Sequence, residues 1–269
     1  MTKQATARDA QHSPRRFSLS LSARICLTAT VLVVAGMGVT SAFIAVKNSE
    51  SAEESAMREA RTLTLEASAL LKSRIAANLS TVQSVAGSLA AVQAGGQALT
   101  REQVGHVVRA TLAGSEDFIG SSATYEPDAL DGRDAEFAGQ QPLYDATGRY
   151  MPYWTRGADG KIGVEPMVFQ ATQGGNDWYD IPKASGRALF TEPFSFPVNG
   201  KEVLIASVVA PIVGNGQFKG AVTGDFQLTT LGMMLREMHV MDEGTLALIS
   251  NRGMYASNKN HALNGKKAN

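Results

Sequence analysis

The hydrophobic positions of this chain change character twice. From Ile25 to Val46, 22 residues carry no formal charge. At ~1.5 Å of helical rise per residue the run is long enough to cross the roughly 30 Å hydrocarbon core of a bilayer. From Lys47 to Ala94 there is no proline and no glycine before Gly87, and Ala, Leu, Glu and Arg dominate, all good helix formers. Apolar residues recur there at Leu71, Ile75, Leu79, Val82, Val85 or Ala86, Leu89 and Val92. Steps of three and four place them on one stripe of a helix, which Gly95-Gly96 ends. Thr100-Arg-Glu-Gln103 has the spacing of a capping box and predicts a second helix, with Val104, Val107, Val108 and Leu112 on one face and Gly114 closing it. From Phe118 onward the runs 118–125, 150–156, 162–168, 203–212 and 218–228 predict strands. Asp131-Gly132, Gly157-Ala-Asp-Gly160 and Gly214-Asn-Gly216 predict the turns that join them as antiparallel neighbours. Residues 231–239 read as a connecting helix, 245–250 as a new strand and Asn251-Arg252-Gly253 as a turn. Helices followed by an antiparallel meander make an α+β module in which the long helix covers one sheet face.

Charge gives the apolar run a direction. Lys3, Arg8, Arg15, Arg16 and Arg24 precede it against Asp9, whereas Lys47, Arg58 and Arg61 follow it among Glu50, Glu53, Glu54, Glu59 and Glu66. Basic flanks favour the cytoplasmic side, so the N-terminus is expected inside and everything after Val46 outside. A cleaved signal peptide is the competing reading. The run exceeds the usual ~7–15-residue core of such leaders, and Ser41-Ala42-Phe43-Ile44-Ala45 makes a poor cleavage site, so a retained anchor is preferred. Gly38 and Ala42 form one small-xxx-small pair of the kind that lets two spanning helices approach.

The 25 Lys and Arg balance 25 Asp and Glu, with no basic block after the anchor, which argues against nucleic acid as a partner. The one cysteine, Cys26, lies in the apolar run, so the exported part is expected to fold without an internal disulfide. A short strand at 245–250 followed by a polar tail has no neighbours in sequence to pair with, so the chain is expected to hold only the beginning of a second module.

Catalytic and metal-binding patterns are not apparent. His12, His106, His239 and His261 are scattered, with no ligand at metal spacing, and there is no nucleophile elbow, phosphate loop or zinc-protease helix. No enzyme activity, metal or cofactor is therefore expected. The aromatic residues are another matter. They are 7% of the chain, yet Tyr144, Tyr150, Tyr153, Trp154, Phe169, Trp178 and Tyr179 fall in one stretch with both tryptophans among them, beside Asn176, Asp177, Asp180 and Glu192. Rings with a few polar groups can hold a small organic solute, a cationic one above all. The plainer alternative is that these rings fill the core of a small β domain, and it is preferred for Tyr150 and Phe169. Trp178-Tyr179 follow Gly174-Gly-Asn-Asp on what reads as a polar loop, where binding is the better explanation.

Five stretches carry a family resemblance: Tyr125-Glu-Pro-Asp-Ala-Leu-Asp-Gly-Arg-Asp134, Gly148-Arg-Tyr-Met-Pro-Tyr-Trp154, Asp177-Trp-Tyr-Asp-Ile-Pro-Lys183, Glu192-Pro193 and Gly220-Ala-Val-Thr-Gly-Asp225. In this order, after a membrane helix and a long helix, they resemble the extracytoplasmic double Cache (dCache) sensor of bacterial methyl-accepting chemotaxis receptors, over roughly residues 30–269. The resemblance implies two PAS-like modules, of which the membrane-distal one takes the ligand. Members of the family that bind amino acids carry an R-x-W-Y motif whose arginine grips the ligand carboxylate. Trp178-Tyr179 matches its aromatic pair, but Asn176 stands at the arginine position. An amide cannot supply the charged fork of arginine, although Arg149 or Arg187 could stand in. The family's ammonium-binding aspartate matches Asp225, which could alternatively cap the following helix.

The resemblance thus implies a small-molecule ligand, an amine or another small metabolite in preference to an amino acid. The implied ligand-binding residues are Tyr125, Tyr153, Trp154, Asp177, Trp178, Tyr179, Glu192, Ser207 and Asp225. The expected organisation is a cytoplasmic N-terminus at 1–24, a transmembrane helix at 25–46, the long helix and membrane-distal module at 47–240, and the start of the membrane-proximal module at 241–269. The expected setting is the inner membrane, with the sensor module periplasmic and homodimerisation through the long helix. A histidine kinase or a cyclic-dinucleotide enzyme would share such a sensor half. A secreted solute-binding protein with a cleaved leader is the reading from another class.

Overall fold

A computed structural model of the protein describes residues 20–97, 99–237 and 244–268. The chain divides into two compact units, Met1–Arg58 and Glu59–Asn269. In the described part of the first, α1 (Leu21–Ala94) begins. Among the described residues this is the one helix long and apolar enough to cross a membrane, with a mean hydropathy of 2.1 over 18 residues that are 0% buried. Thr28, Thr30 and Thr40 turn their hydroxyls back onto the carbonyls of Arg24, Cys26 and Gly36 at 2.8–3.0 Å. That leaves no side-chain donor of theirs to be satisfied by lipid.

In the second unit, α1 ends at Ala94, before Gly95-Gly96, and α2 (Arg101–Ala113) begins with the expected capping box. Thr100 Oγ1 accepts from the Gln103 backbone N–H, and the Gln103 side chain accepts from that of Thr100. The stripe predicted for α1 is the buried one: Leu71, Val82, Ala86 and Leu89 are in the core, with Ile75, Leu79 and Val85 packed against it.

The sheet contains β1 (Phe118–Tyr125), β2 (Pro152–Arg156), β3 (Ile162–Pro166), β4 (Leu189–Phe190), β5 (Phe194–Val198), β6 (Lys201–Gly214) and β7 (Gln217–Gln227). Its order is β3-β2-β1-β7-β6-β4, all antiparallel, with β5 also pairing β6. Two Asn-Gly turns set the hairpins. Asn199-Gly200 and Asn215-Gly216 all have positive φ, the conformation that matches the twist of the strands on either side. This is a PAS-like α+β fold.

Several elements differ from the sequence expectation. Trp178 and Tyr179 are not on a loop but in the first turn of α3 (Asp177–Ser185), which Pro182 and the preceding glycines disguise. β4 and β5 were not expected. Asp131-Gly132 lies within a long connection between β1 and β2 and is not a hairpin turn. Tyr150 precedes β2 and bridges to Tyr144. The helix expected at 231–239 is α4 (Leu228–Glu237), and its last two positions lie outside the described residues, as does the junction at 240/241. The strand expected at 245–250 is shorter, β8 (Leu248–Ile249), and pairs with β9 (Tyr255–Ser257).

Strand alternation divides the side chains of the sheet between two cores. Ala206, Val208, Ala210 and Ile212 of β6 join Val104, Val108 and Leu112 of α2 and the α1 stripe. Ile205 and Val209 face the other way, onto Trp178, Tyr179, Met151, Met167 and Phe196.

Candidate functional site

The row on the second face is polar at its centre. Ser207 of β6 lies in register with Asp225 of β7, and Val209 with Thr223. Asp225 is 4% exposed. Burial pushes its pKa up to about 6, against the hydroxyls of Ser207, Tyr153 and Thr223 around it, which favour the charged form. No Lys, Arg or His among the described residues pairs with it. Tyr153, paired with Ser122 of β1, reaches this position because its ring crosses Gly120, which has no Cβ. A Cβ there would lie 2.3 Å from the Tyr153 hydroxyl. Burial, with the facing Asp225, holds the Tyr153 phenol far above its ordinary pKa.

Asp225, Ser207 and Thr223 line a cavity of about 10 Å3 with Met167, Trp178, Phe194, Phe196 and Ile205. That volume is close to the ~10–15 Å3 that one water needs. Two polar atoms at this core have no hydrogen-bond partner, the Tyr153 hydroxyl and Trp178 Nε1. Trp178 and Phe194 also form part of the wall of a larger groove of about 950 Å3, where Asp177 and Glu192 sit near the surface with Phe169, Ile181 and Arg252. A buried Glu192 carboxylate oxygen there is unpartnered too.

The structure therefore brings Tyr153, Trp178, Ser207 and Asp225 together, with Asp177 and Glu192 along the adjoining groove. It does not bring Tyr125 or Trp154 to them. Their parity on β1 and β2 directs both to the helix-covered core, where Trp154 Cζ2 would lie 3.6 Å from a Cβ on Gly105 of α2. Tyr179 also points away from the cavity. Its hydroxyl donates to Glu126 Oε1 at 2.5 Å and accepts from Arg149 at 2.6 Å, while Lys183 reaches both Glu126 oxygens at 2.9 Å. Burial would raise the Glu126 pKa, but Tyr179, Lys183 and Arg149 outweigh it and lower it.

Two of the three groups considered as carboxylate grips, Asn176 and Arg149, are committed elsewhere. Asn176 Oδ1 accepts from the Gln170 N–H at 2.8 Å and its Nδ2 donates to the Gln170 carbonyl at 2.9 Å, closing the 170–176 loop. Arg149 donates through Nε to the Tyr125 carbonyl and lies over the Phe169 and Tyr179 rings. Arg187 is exposed, one residue after Gly186 ends α3. Sequence reasoning did not single out Met167, Phe194, Phe196 or Thr223 as cavity walls. The signal for two of them was the hairpin Phe194-Ser-Phe-Pro-Val-Asn-Gly200, an alternating run before an Asn-Gly turn.

Residues 104–233 match the family model of the first PDC sensor domain of methyl-accepting chemotaxis protein-like receptors. The chain is 29% identical over 176 residues to the methyl-accepting chemotaxis protein TlpQ of Pseudomonas aeruginosa. That match covers 60% of this chain and 24% of TlpQ, so the chain spans about a quarter of the length of this curated relative. Among solved structures, the extracellular domain of mmHK1S-Z3, classed as a histidine kinase, is 28% identical with a TM-score of 0.64, over 74% of this chain and 69% of that one. A second, named methyl-accepting chemotaxis protein X, has a TM-score of 0.71 over 78% of this chain and 76% of its own; at 21% identity it shows the fold. Over residues 104–233 the chain is thus similar to the family that its sequence resembles, the PDC (Cache) sensor domain of chemoreceptors.

Proposed function

We propose that this chain is the sensing half of a membrane-anchored chemoreceptor and that its Cache module takes up a small cationic solute, an amine, against Asp225. The observation that carries the reading is a carboxylate 4% exposed among hydroxyls, with no cationic side chain of the described residues beside it. A buried charge is costly unless it is paired, and a solute ammonium is the countercharge that completes this one. Ser207 and the unpartnered Tyr153 hydroxyl supply further acceptors for an ammonium, and the Trp178 ring closes the wall of the cavity. Asp177 and Glu192, along the groove, make its approach favourable to a cation.

The same geometry disfavours ordinary amino acids. Asn176 and Arg149 are held in the bonds described above, and neither offers a free fork to a carboxylate. α1 anchors the module in the inner membrane, N-terminus inside and sensor outside, and pairs two copies along its length; 1–24, 25–46, 47–240 and 241–269 are the corresponding segments. Tyr125 and Trp154 brace the sheet under the helices and contact no solute. The module senses and does not catalyse. Solute binding shifts α1 by differential affinity for two positions, and the output is chemotactic. A histidine kinase output is the second reading, favoured by the likeness to the extracellular domain of mmHK1S-Z3.

A thermal-shift screen of primary amines, purines, L-amino acids and organic acids on the purified chain tests the reading. Stabilisation by amines that is lost in Asp225→Asn is the expected result. Stabilisation by L-amino acids with amines silent contradicts it.

A further inference from the structure

We propose that α3 is a hinged lid over the Asp225 cavity and that Glu126 is the catch that holds it shut. The proposal rests on reading that cavity as the solute site. A space of about 10 Å3 holds no organic solute, so one wall has to move for any to enter. The walls are unequal. Ser207, Thr223, Asp225 and Ile205 belong to β6 and β7, paired to each other along their length and, through β7, to β1. Trp178 belongs to a nine-residue helix whose N-cap, Asn176, turns its side chain onto Gln170 and makes no capping bond to the helix.

A glycine of positive φ flanks α3 at each end and is the proposed joint. Gly174 before it has φ +77° and Gly186 after it has φ +65°, a conformation that glycine adopts without strain. Between the joints the polar tethers converge on one carboxylate. Glu126, just past the end of β1, accepts from the Tyr179 hydroxyl and from Lys183 Nζ, and Arg149 Nη2 lies 3.8 Å away while donating to the same hydroxyl. The other ionic tether, Asp177 to Arg252, is 3.8 Å long between side chains 42% and 68% exposed, and it holds weakly. Tyr179 adjoins Trp178, so releasing the first lifts the second from the cavity. Glu126 touches no solute in this scheme. It is a positioning residue that sets how often the cavity opens.

The test is hydrogen exchange on the full chain in nanodiscs, without added solute. Glu126→Gln is expected to speed exchange across 177–185 roughly tenfold while the amides of β6 and β7 keep their native rates. In a Trp154→Phe background, the same change raises acrylamide quenching of Trp178. Lys183→Gln, which removes one exposed partner, gives a smaller acceleration of about two- to threefold, and it carries the test alone if Glu126→Gln fails to fold. Native exchange rates in α3 in both variants, or acceleration spread equally over β6 and β7, overturn the lid. n-Butylamine, added as a probe, is expected to slow exchange in α3. If it changes nothing while the Glu126→Gln acceleration stands, the lid holds and the solute-site reading falls.

Discussion

Two regions of the module bury acids, and they treat them in opposite ways. In the connection after β1, Asp131 and Asp134 meet the Arg101 guanidinium at 2.6 and 2.7 Å, and Arg101 also donates to the Gly148 carbonyl and lies over the Phe137 ring. The Arg101 hydrogen bonds lower the Asp131 pKa, and the two acids raise that of Arg101 against its burial. Every charge there is met within the protein. At the centre of the sheet Asp225 meets only hydroxyls, and its pKa moves the other way. A finished ion cluster positions a loop. An acid buried without a countercharge is the feature on which the proposed binding site rests.

The largest effect separates the two regions by stability. Arg101→Met leaves the buried Asp134 and the half-buried Asp131 without that cation and is expected to cost about 3 kcal/mol, read by chemical unfolding. Asp225→Asn is expected to act in the opposite direction. The folded-state pKa of Asp225 lies above its unfolded value, so the folded protein binds that proton more tightly and loses stability as pH rises from about 4 through about 6. Above that window the penalty is complete. The variant should therefore be about 2 kcal/mol more stable than the native chain at pH 7.5, with the gain gone by pH 3.5, while its amine response disappears. A native chain at least as stable as the variant at pH 7.5 would show that Asp225 has a countercharge after all.

Solute affinity sharpens the contrast further. The ammonium requires the ionised carboxylate, so amine affinity is level above pH 7 and falls toward tenfold per unit below about pH 6. Calorimetric titration from pH 5 to 8 reads this directly. The two unpartnered tyrosine hydroxyls give the smallest effects. Tyr153→Phe, at the Asp225 end, is expected to weaken amine binding about two- to tenfold. Tyr125→Phe, on the helix side, should change stability by less than about 1 kcal/mol and leave binding unchanged. Equal loss of binding in both variants would erase the distinction between the two sheet faces.

The elements governed by local rules were legible in the sequence. The Phe118–Tyr125 strand, the Thr100 capping box, the end of α1 at Gly95 and the buried stripe through Leu71 and Leu89 follow from periodicity and capping. What was not legible depends on pairing across the chain. Tyr125 and Tyr153 look alike as aromatics on strands, yet the register of β1, β2 and β7 sends one under α2 and the other to Asp225. α3 was obscured because Pro182 and Gly174-Gly175 speak for a loop, whereas burial of Trp178 and Tyr179 against the sheet stabilises a helix. That Asn176 closes a loop on Gln170 could not be read from its place in a motif.

The measurement that bears most directly on the account is calorimetric titration of the native chain and of Asp225→Asn with a primary amine and with the alcohol of the same carbon skeleton. The account predicts that the amine binds the native chain, that the alcohol does not, and that neither binds the variant. Equal binding of amine and alcohol, or amine binding that survives in Asp225→Asn, would contradict it.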